Sequence, residues 1–230
     1  MNIDTRQINL KQEASRAAMN FITPYILENN NFLIGVGTGS TVDFFIDELS
    51  CFSCSIAGAV ASSDRTKSKL SSCGIKVIEL NSIDHLPFYV DGADEIDESF
   101  CMIKGGGGAL TREKIVSSVA DKFICIVDES KLVNRLGSFP LPIEVIPMAV
   151  NSISRRLTLL GGKVVLRDGF ITDNGNVIID VHNLYIQDQL SLEKEINNFP
   201  GVVTNGLFAI NRADILILAA DEGVQLIHRY

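Results

Sequence analysis

Residues 32–49 read FLIGVGTGSTVDFFIDEL. Phe32 to Val36 form a short apolar run that enters the loop Gly37-Thr38-Gly39-Ser40-Thr41, and residues 41–49 then read as a helix. A buried strand that passes through a glycine-rich turn into a helix is the opening unit of an α/β sheet. The alternation continues on both sides. Residues 11–27 carry Ala14, Ala18, Phe21, Ile22 and Ile26 at helical spacing, and Pro24 is expected to kink or interrupt that helix near its end. Downstream, strands are expected at 55–60, 75–80, 87–90 and 122–127, with helices at 63–72 and 112–120. Strands separated by helices predict a mostly parallel, Rossmann-like sheet with helices on both faces.

The pattern changes after Pro140, Pro142 and Pro147. Strands at 143–146, 163–166, 177–181 and 201–204 and helices at 150–160 and 191–199 follow a βαββαβ order, with a turn at Asp173-Asn-Gly-Asn176. That is the order of a small ferredoxin-like α+β domain. Residues 214–219 (DILILA) are apolar after the first position and are assigned back to the first sheet. The small domain is therefore expected as an insertion: residues 1–137 and 209–230 form the Rossmann-like domain, and residues 138–208 the ferredoxin-like one.

The chain has 230 residues, enough for one large domain and a satellite. Net charge is −8, which argues against nucleic acid as a partner, because phosphate backbones require a basic face. A small anionic ligand stays open, since a few local cations outweigh a distant surface. The first residues, MNIDTRQINLKQE, have no apolar segment of a secretory leader, and no run approaches the roughly 20 apolar residues of a membrane span. Five irregularly spaced cysteines read as reduced thiols of a cytoplasmic protein. Cys51-Phe-Ser-Cys54 is a CxxC, but no second ligand pair accompanies it, so it reads as two thiols in a connection.

The loop at Gly37–Thr41 opens a helix, where backbone N–H groups are unpaired donors at the positive end of the dipole. A dinucleotide fingerprint fits poorly. Its third glycine would fall at Ser40, and nothing acidic lies between Glu48 and Asp64 to hold a ribose. A P-loop fails because no lysine precedes Ser40 or Thr41. What survives is a cradle for one phosphate; the bland alternative is a tight turn with Ser40 or Thr41 as N-cap.

Residues 90–114 read VDGADEIDESFCMIKGGGGALTREK. Asp91 and Asp94 leave the C-terminal end of a predicted strand, the edge that carries ligands in open α/β sheets. The bland alternative is an acidic turn. Glu95 and Asp97 are expected to face solvent. A magnesium site at Asp-x-x-Asp is a rival reading, opposed by Lys104, a fixed cation that competes with a metal. Four glycines after Lys104 cost entropy and make sense where backbone must approach a ligand. Thr111 is expected to cap the next helix, leaving Glu113 in its first turn. A flexible linker and a helix-dipole acid are the ordinary readings of these two features. A carboxylate base beside a cation suits proton abstraction next to a carbonyl, with Lys104 neutralising an enediolate. His85, His182 and His228 lie outside these motifs.

GVGTGST, VDGADEID, KGGGGALTREK and IVDESK, in this order, closely resemble ribose-5-phosphate isomerases of the A type, as does VVTNGLFAINRADILILAADEGV near the end. The resemblance runs from the first helix to Val224. It implies interconversion of ribose 5-phosphate and ribulose 5-phosphate through an enediolate, in the non-oxidative pentose phosphate pathway, with no cofactor and no metal. Glu113 would be the acid/base, Lys104 would stabilise the oxyanion, and Asp91 and Asp94 would contact sugar hydroxyls and assist ring opening. Thr38, Gly39, Ser40 and Thr41, then Asp91, Gly92, Ala93 and Asp94, then Lys104, Gly105, Gly106 and Gly107 would line the substrate. Lys131 would approach its phosphate; the motif around Lys11 is too loose to place that residue. The LENNN stretch at 27–31 is a slightly longer connection than the family's and touches none of these residues. Family members are homodimers or homotetramers. The functional alternative is a sugar-phosphate sensor module of related fold, although no basic helix-turn-helix accompanies these residues.

Overall fold

A computed structural model describes residues 5–229. In chain order the first elements are α1 (Thr5–Glu28), β1 (Leu33–Val36), α2 (Ser40–Ser50), β2 (Gly58–Ala61), α3 (Asp64–Ser72), β3 (Leu86–Asp91), β4 (Glu95–Ile96), β5 (Met102–Ile103), α4 (Leu110–Ser118) and β6 (Ala120–Asp128). The remainder are β7 (Leu141–Val145), α5 (Val150–Leu159), β8 (Lys163–Leu166), β9 (Val177–His182), α6 (Gln189–Asn197), β10 (Val202–Asn205), β11 (Leu207–Phe208), β12 (Ile215–Ala220) and β13 (Gly223–His228). They form two compact units. One comprises the residues up to Gly92, Ile115–Leu132 and the residues from Ala213 on; the other comprises Ala93–Lys114 and Val133–Arg212.

The first unit holds a six-stranded sheet in the order β13-β12-β6-β3-β1-β2, parallel except for the edge strand β13. β1, β3, β6 and β12 are almost continuously apolar because they are buried on both faces. α2 buries Val42, Phe45, Ile46 and Leu49, one face of a helix, against this sheet. α1 joins the same core through Ala14, Ala18, Ile22 and Ile26, and it runs through Pro24 to Glu28 without the expected interruption. On the opposite face Tyr89 and Phe123 pack ring to ring, 5.0 Å between centroids.

The strand expected at 75–80 is reduced to one bridge, Ala59 with Val77, held by Ala59 N–H to Lys76 O and Ile78 N–H to Ala59 O. The chain leaves at once into a 3₁₀ turn, Leu80–Ser82. With that rung outside β2, the strands follow a doubly wound order that reverses between β1 and β3. This reversal is the topological switch point, where open α/β sheets bind ligands. β1 runs out at Gly37 and β3 ends on Asp91.

The second unit contains β7, α5, β8, β9, α6 and β10 with an antiparallel sheet of order β10-β7-β9-β8, the ferredoxin-like arrangement. A separate small sheet, β11-β5-β4, belongs to the same unit. The unit boundaries therefore differ from 137/138 and 208/209. Residues 93–114, 133–137 and 209–212 group with the ferredoxin-like elements because Cys101, Ile103, Leu136, Leu207 and Ala209 share one core with Leu141, Ile143 and Ile179. The short strands β4, β5 and β11 span two residues each, too few to produce an alternating pattern. Among the described residues no helix is long and apolar enough to cross a membrane.

Candidate active site

In the first unit the glycine loop and Asp91 are built into each other. Asp91 is fully buried. Its Oδ2 accepts the Tyr89 hydroxyl (2.5 Å), and its Oδ1 accepts the N–H groups of Gly92 (2.7 Å) and Thr38 (3.1 Å). Gly37 N–H donates to Val90 O at 2.9 Å. A Cβ on Gly37 would lie 1.9 Å from Asp91 Cγ, so only glycine allows the loop to pass the carboxylate. Gly37→Ala is accordingly expected to swing Asp91 away from Tyr89, Gly92 and Thr38 and lower kcat/KM by about 10²-fold, the cost of an ångström-scale misplacement. Steady-state kinetics on protein with native circular dichroism checks this; a loss of less than threefold contradicts it.

The side chains of the loop take separate roles. Thr38 Oγ1 turns inward to Ser62 (3.0 Å), Ser63 (2.8 Å) and Thr66 (3.0 Å), and Thr66 Oγ1 donates to Gly37 O at 2.7 Å. Its hydroxyl and N–H are thus both engaged within the protein. Gly39 is the residue preceding α2, and neither Ser40 nor Thr41 caps the helix. Ser40 is exposed, and its Oγ accepts from Lys11 Nζ at 3.0 Å. Lys11, which the sequence left unplaced, is nine-tenths buried and brings its ammonium to the first turn of α2. Lys131 lies in the 3₁₀ turn Glu129–Lys131, whose start is capped by Asp128 accepting from Ser130 N–H at 3.0 Å. The Lys131 side chain makes no hydrogen bond or ion pair among the described residues.

In the second unit Lys104 and Glu113 form a buried ion pair, Nζ to Oε2 3.1 Å, with side chains 3% and 4% exposed. Lys104 follows β5 directly and its N–H donates to Gly206 O at 2.9 Å. Its ammonium stands 5.5 Å from the centre of the Phe208 ring. Within this unit it is paired with Glu113, nine residues further along the chain. α4 begins at Leu110, one residue before Thr111, so Thr111 is not its cap. Instead the Thr111 hydroxyl donates to Glu144. Arg112 binds Asn174 Oδ1 (2.9 Å) and Asp173 O (2.6 Å). These two anchors set the first turn of α4, from which Glu113 projects. Lys114 pairs with Glu193 (2.6 Å) and donates to Leu207 O (2.6 Å); burial pushes its ammonium below the ordinary lysine range against the pull of Glu193.

Asp94 is half-buried and accepts Gly106 N–H on Oδ2 at 2.7 Å. Ala93 and Gly105–Gly107 flank it in the same unit. Glu95 and Asp97 do not face solvent. Glu95 is buried and accepts the N–H groups of Gly137 (2.7 Å) and Phe139 (2.6 Å). Asp97 is buried and accepts from Ser99 N–H, Ser99 Oγ, Cys101 N–H and Gln189. Both acids bind loop backbone that has no secondary-structure partner, a role invisible in residue type alone. Glu144 and Arg167 also escaped sequence reasoning, because their partners Thr111, Thr172 and Gly105 lie far along the chain; Tyr89 escaped it because a tyrosine in an apolar strand reads as core. Among the described residues no group of three or more His, Cys, Asp or Glu side chains is placed to hold a metal ion, and Cys51 and Cys54 are free and exposed.

Residues 58–223 match the family model of ribose 5-phosphate isomerase A (phosphoriboisomerase A). The chain is 56% identical over 223 residues to the ribose-5-phosphate isomerase A of Bordetella avium, covering 97% of this chain and 99% of the relative. Among solved structures it resembles ribose 5-phosphate isomerase A from Neisseria gonorrhoeae, with TM-score 0.92, 46% identity, and 97% and 98% of the two chains covered. It also resembles a D-ribose-5-phosphate isomerase in complex with phospho-erythronic acid, with TM-score 0.90, 39% identity and both chains covered in full.

Proposed function

Since this chain belongs to the ribose 5-phosphate isomerase A family, we propose that it interconverts D-ribose 5-phosphate and D-ribulose 5-phosphate by moving one proton between C1 and C2, the aldose–ketose step of the non-oxidative pentose phosphate pathway. The observation that carries the chemistry is the buried Lys104–Glu113 pair at 3.1 Å. Glu113 takes the proton from C2 of the open-chain aldose and returns it to C1. The electrons of the broken C–H bond pass to the carbonyl oxygen, giving a cis-enediolate whose negative charge Lys104 meets. Burial makes this charge stabilisation far stronger than it would be in water. A carboxylate and an ammonium already in contact need little reorganisation when the charge moves from one oxygen to another.

Asp91 and Asp94 bind sugar hydroxyls and the ring oxygen, and assist ring opening of the cyclic substrate. The phosphate takes the start of α2, where N–H donors of the helix terminus, Ser40 and the Lys11 ammonium 3.0 Å from it supply donors and charge. Lys131 is a further cation for it. Gly39, Thr41, Gly92, Ala93, Gly105 and Gly107 line the substrate through their backbone. The protein is a homodimer or homotetramer of the cytoplasm in this reading.

Hydrogen exchange tests the reaction. Ribose 5-phosphate incubated with the protein in D₂O is expected to gain deuterium at C2 and to equilibrate with ribulose 5-phosphate. Binding of the sugar phosphate without exchange would make the chain a sensor module instead. Because no step uses a metal, turnover is expected to persist within twofold in excess EDTA. Loss of activity that a divalent cation restores would replace Lys104 by a metal as the electrophile.

A further inference from the structure

Four consecutive glycines have no side chains to hold them, yet the peptide between Gly105 and Gly106 is fixed at both ends. Gly106 N–H donates to Asp94 Oδ2 at 2.7 Å. Among the described residues that is the one hydrogen bond the Asp94 carboxylate accepts. On the other side of the same peptide, Gly105 O accepts from Arg167 Nη1 at 3.2 Å, and the same nitrogen reaches Gly106 O at 3.2 Å. A trans peptide is planar, with its C=O and N–H pointing in opposite directions, so holding the oxygen aims the N–H. Gly106 also lets the carboxylate come close, since a Cβ there would meet Asp94 Oδ1 at 2.6 Å.

Arg167 is itself immobilised. Its Nε donates to Asp180 on β9 at 2.8 Å, and Nη2 completes a bidentate pair with the same carboxylate. Its guanidinium stands 5.5 Å from the Phe170 ring, and its N–H binds Ile178 O at 2.8 Å. The planar fork thus spends one edge on Asp180 and presents the other to two carbonyls of the glycine loop, a division that lysine cannot reproduce.

We propose that Arg167 is a positioning residue: anchored by Asp180, it sets the Gly105–Gly106 peptide and through it the orientation of the Asp94 carboxylate. The inference rests on the reading of Asp94 as a group that contacts substrate. Arg167 acts only through this peptide and touches no reacting atom.

A double-mutant cycle tests it. Arg167→Ala is expected to lower kcat/KM by 10-fold to about 10²-fold with native circular dichroism. Added ethylguanidinium should restore activity, and ethylammonium should not. In an Asp94→Asn background, Arg167→Ala should cost less than threefold further, because the group it positions is already lost. A folded Arg167→Ala variant with wild-type kinetics, or one whose full loss persists beside Asp94→Asn, overturns the proposal while leaving the role of Asp94 intact. Should Arg167→Ala fail to fold, Asp180→Asn loosens the guanidinium and enters the same cycle, with the same outcomes deciding. If Asp94→Asn alone leaves kcat/KM unchanged, the reading of Asp94 falls and the inference with it. If the wild-type protein does not isomerise at all, the Gly106 amide proton still reports. Its resonance should shift upon Arg167→Ala or Asp180→Asn, and an unmoved resonance overturns the clamp independently of activity.

Discussion

Glu113→Gln is expected to lower kcat by about 10²–10⁴-fold while the dissociation constant for ribose 5-phosphate stays within a few-fold. Glutamine keeps the shape of the side chain and can still accept a hydrogen bond from Lys104, 3.1 Å away in the parent protein. It cannot take a proton from carbon. The loss should therefore fall on the chemical step, and C2 deuterium exchange should disappear with turnover. Binding is not expected to weaken, because the substitution removes a negative charge from the site of an anionic sugar phosphate and keeps the shape of the side chain. Calorimetry for binding and exchange kinetics for turnover separate the two quantities. Retained exchange in the variant would place the base elsewhere.

Glu144→Ala is expected to destabilise the protein by about 3–4 kcal/mol, a fall in melting temperature of roughly 10 °C. Glu144 is fully buried on β7. Its Oε1 accepts from Thr172 Oγ1 (2.9 Å), Asn174 Nδ2 (3.1 Å) and Asn176 Nδ2 (2.8 Å), and its Oε2 from Thr111 Oγ1. Alanine leaves the buried Thr111 and Thr172 hydroxyls without this acceptor, which costs more than the mean value of the bonds lost. Glu144→Gln should cost less, about 1–2 kcal/mol, since an amide oxygen still serves several of the donors and the Thr111 hydroxyl can turn to accept. Activity should fall in both variants beyond the loss of folded protein, because Thr111 is the anchor of the turn that carries Glu113. Thermal melts together with kcat at a temperature where both variants are fully folded would check this. Equal stability of Glu144→Ala and the parent would show that the donors find other partners.

The parallel sheet was legible because burial on both faces forces unbroken apolar runs, as in β1 and β12, and because glycine loops and helix periods punctuate them. The βαββαβ order was legible because short β-branched runs alternate with helix periods and turn residues there. The edge strand β13 was missed because none of its residues is buried, so no pattern marks it. Residues 75–80 alternate as a strand should, yet only Val77 pairs, because alternation records a half-buried surface and not the number of partners available. Pro24 was expected to disturb α1 and did not break it. Thr111 has the chemistry of a cap but serves Glu144, since α4 starts at Leu110, two residues earlier than its side chains suggest.

By itself the sequence determined the order of the longer buried strands and of the helices, the glycine loop at the end of β1, the aspartate at the end of β3 and the family to which these motifs belong. Those features depend on neighbours a few residues away, and local spacing records them. Only the tertiary structure decided which carboxylates are buried, that Lys104 meets Glu113, that Lys11 reaches Ser40 and that Arg167 holds the glycine loop. Each of those contacts joins residues from 9 to 62 positions apart, and a charged side chain reads the same in a sequence whether water or a distant partner satisfies it. Glu95 and Asp97 show the difference: two acids that composition assigns to solvent are held inside by the backbone amides of loops that fold over them.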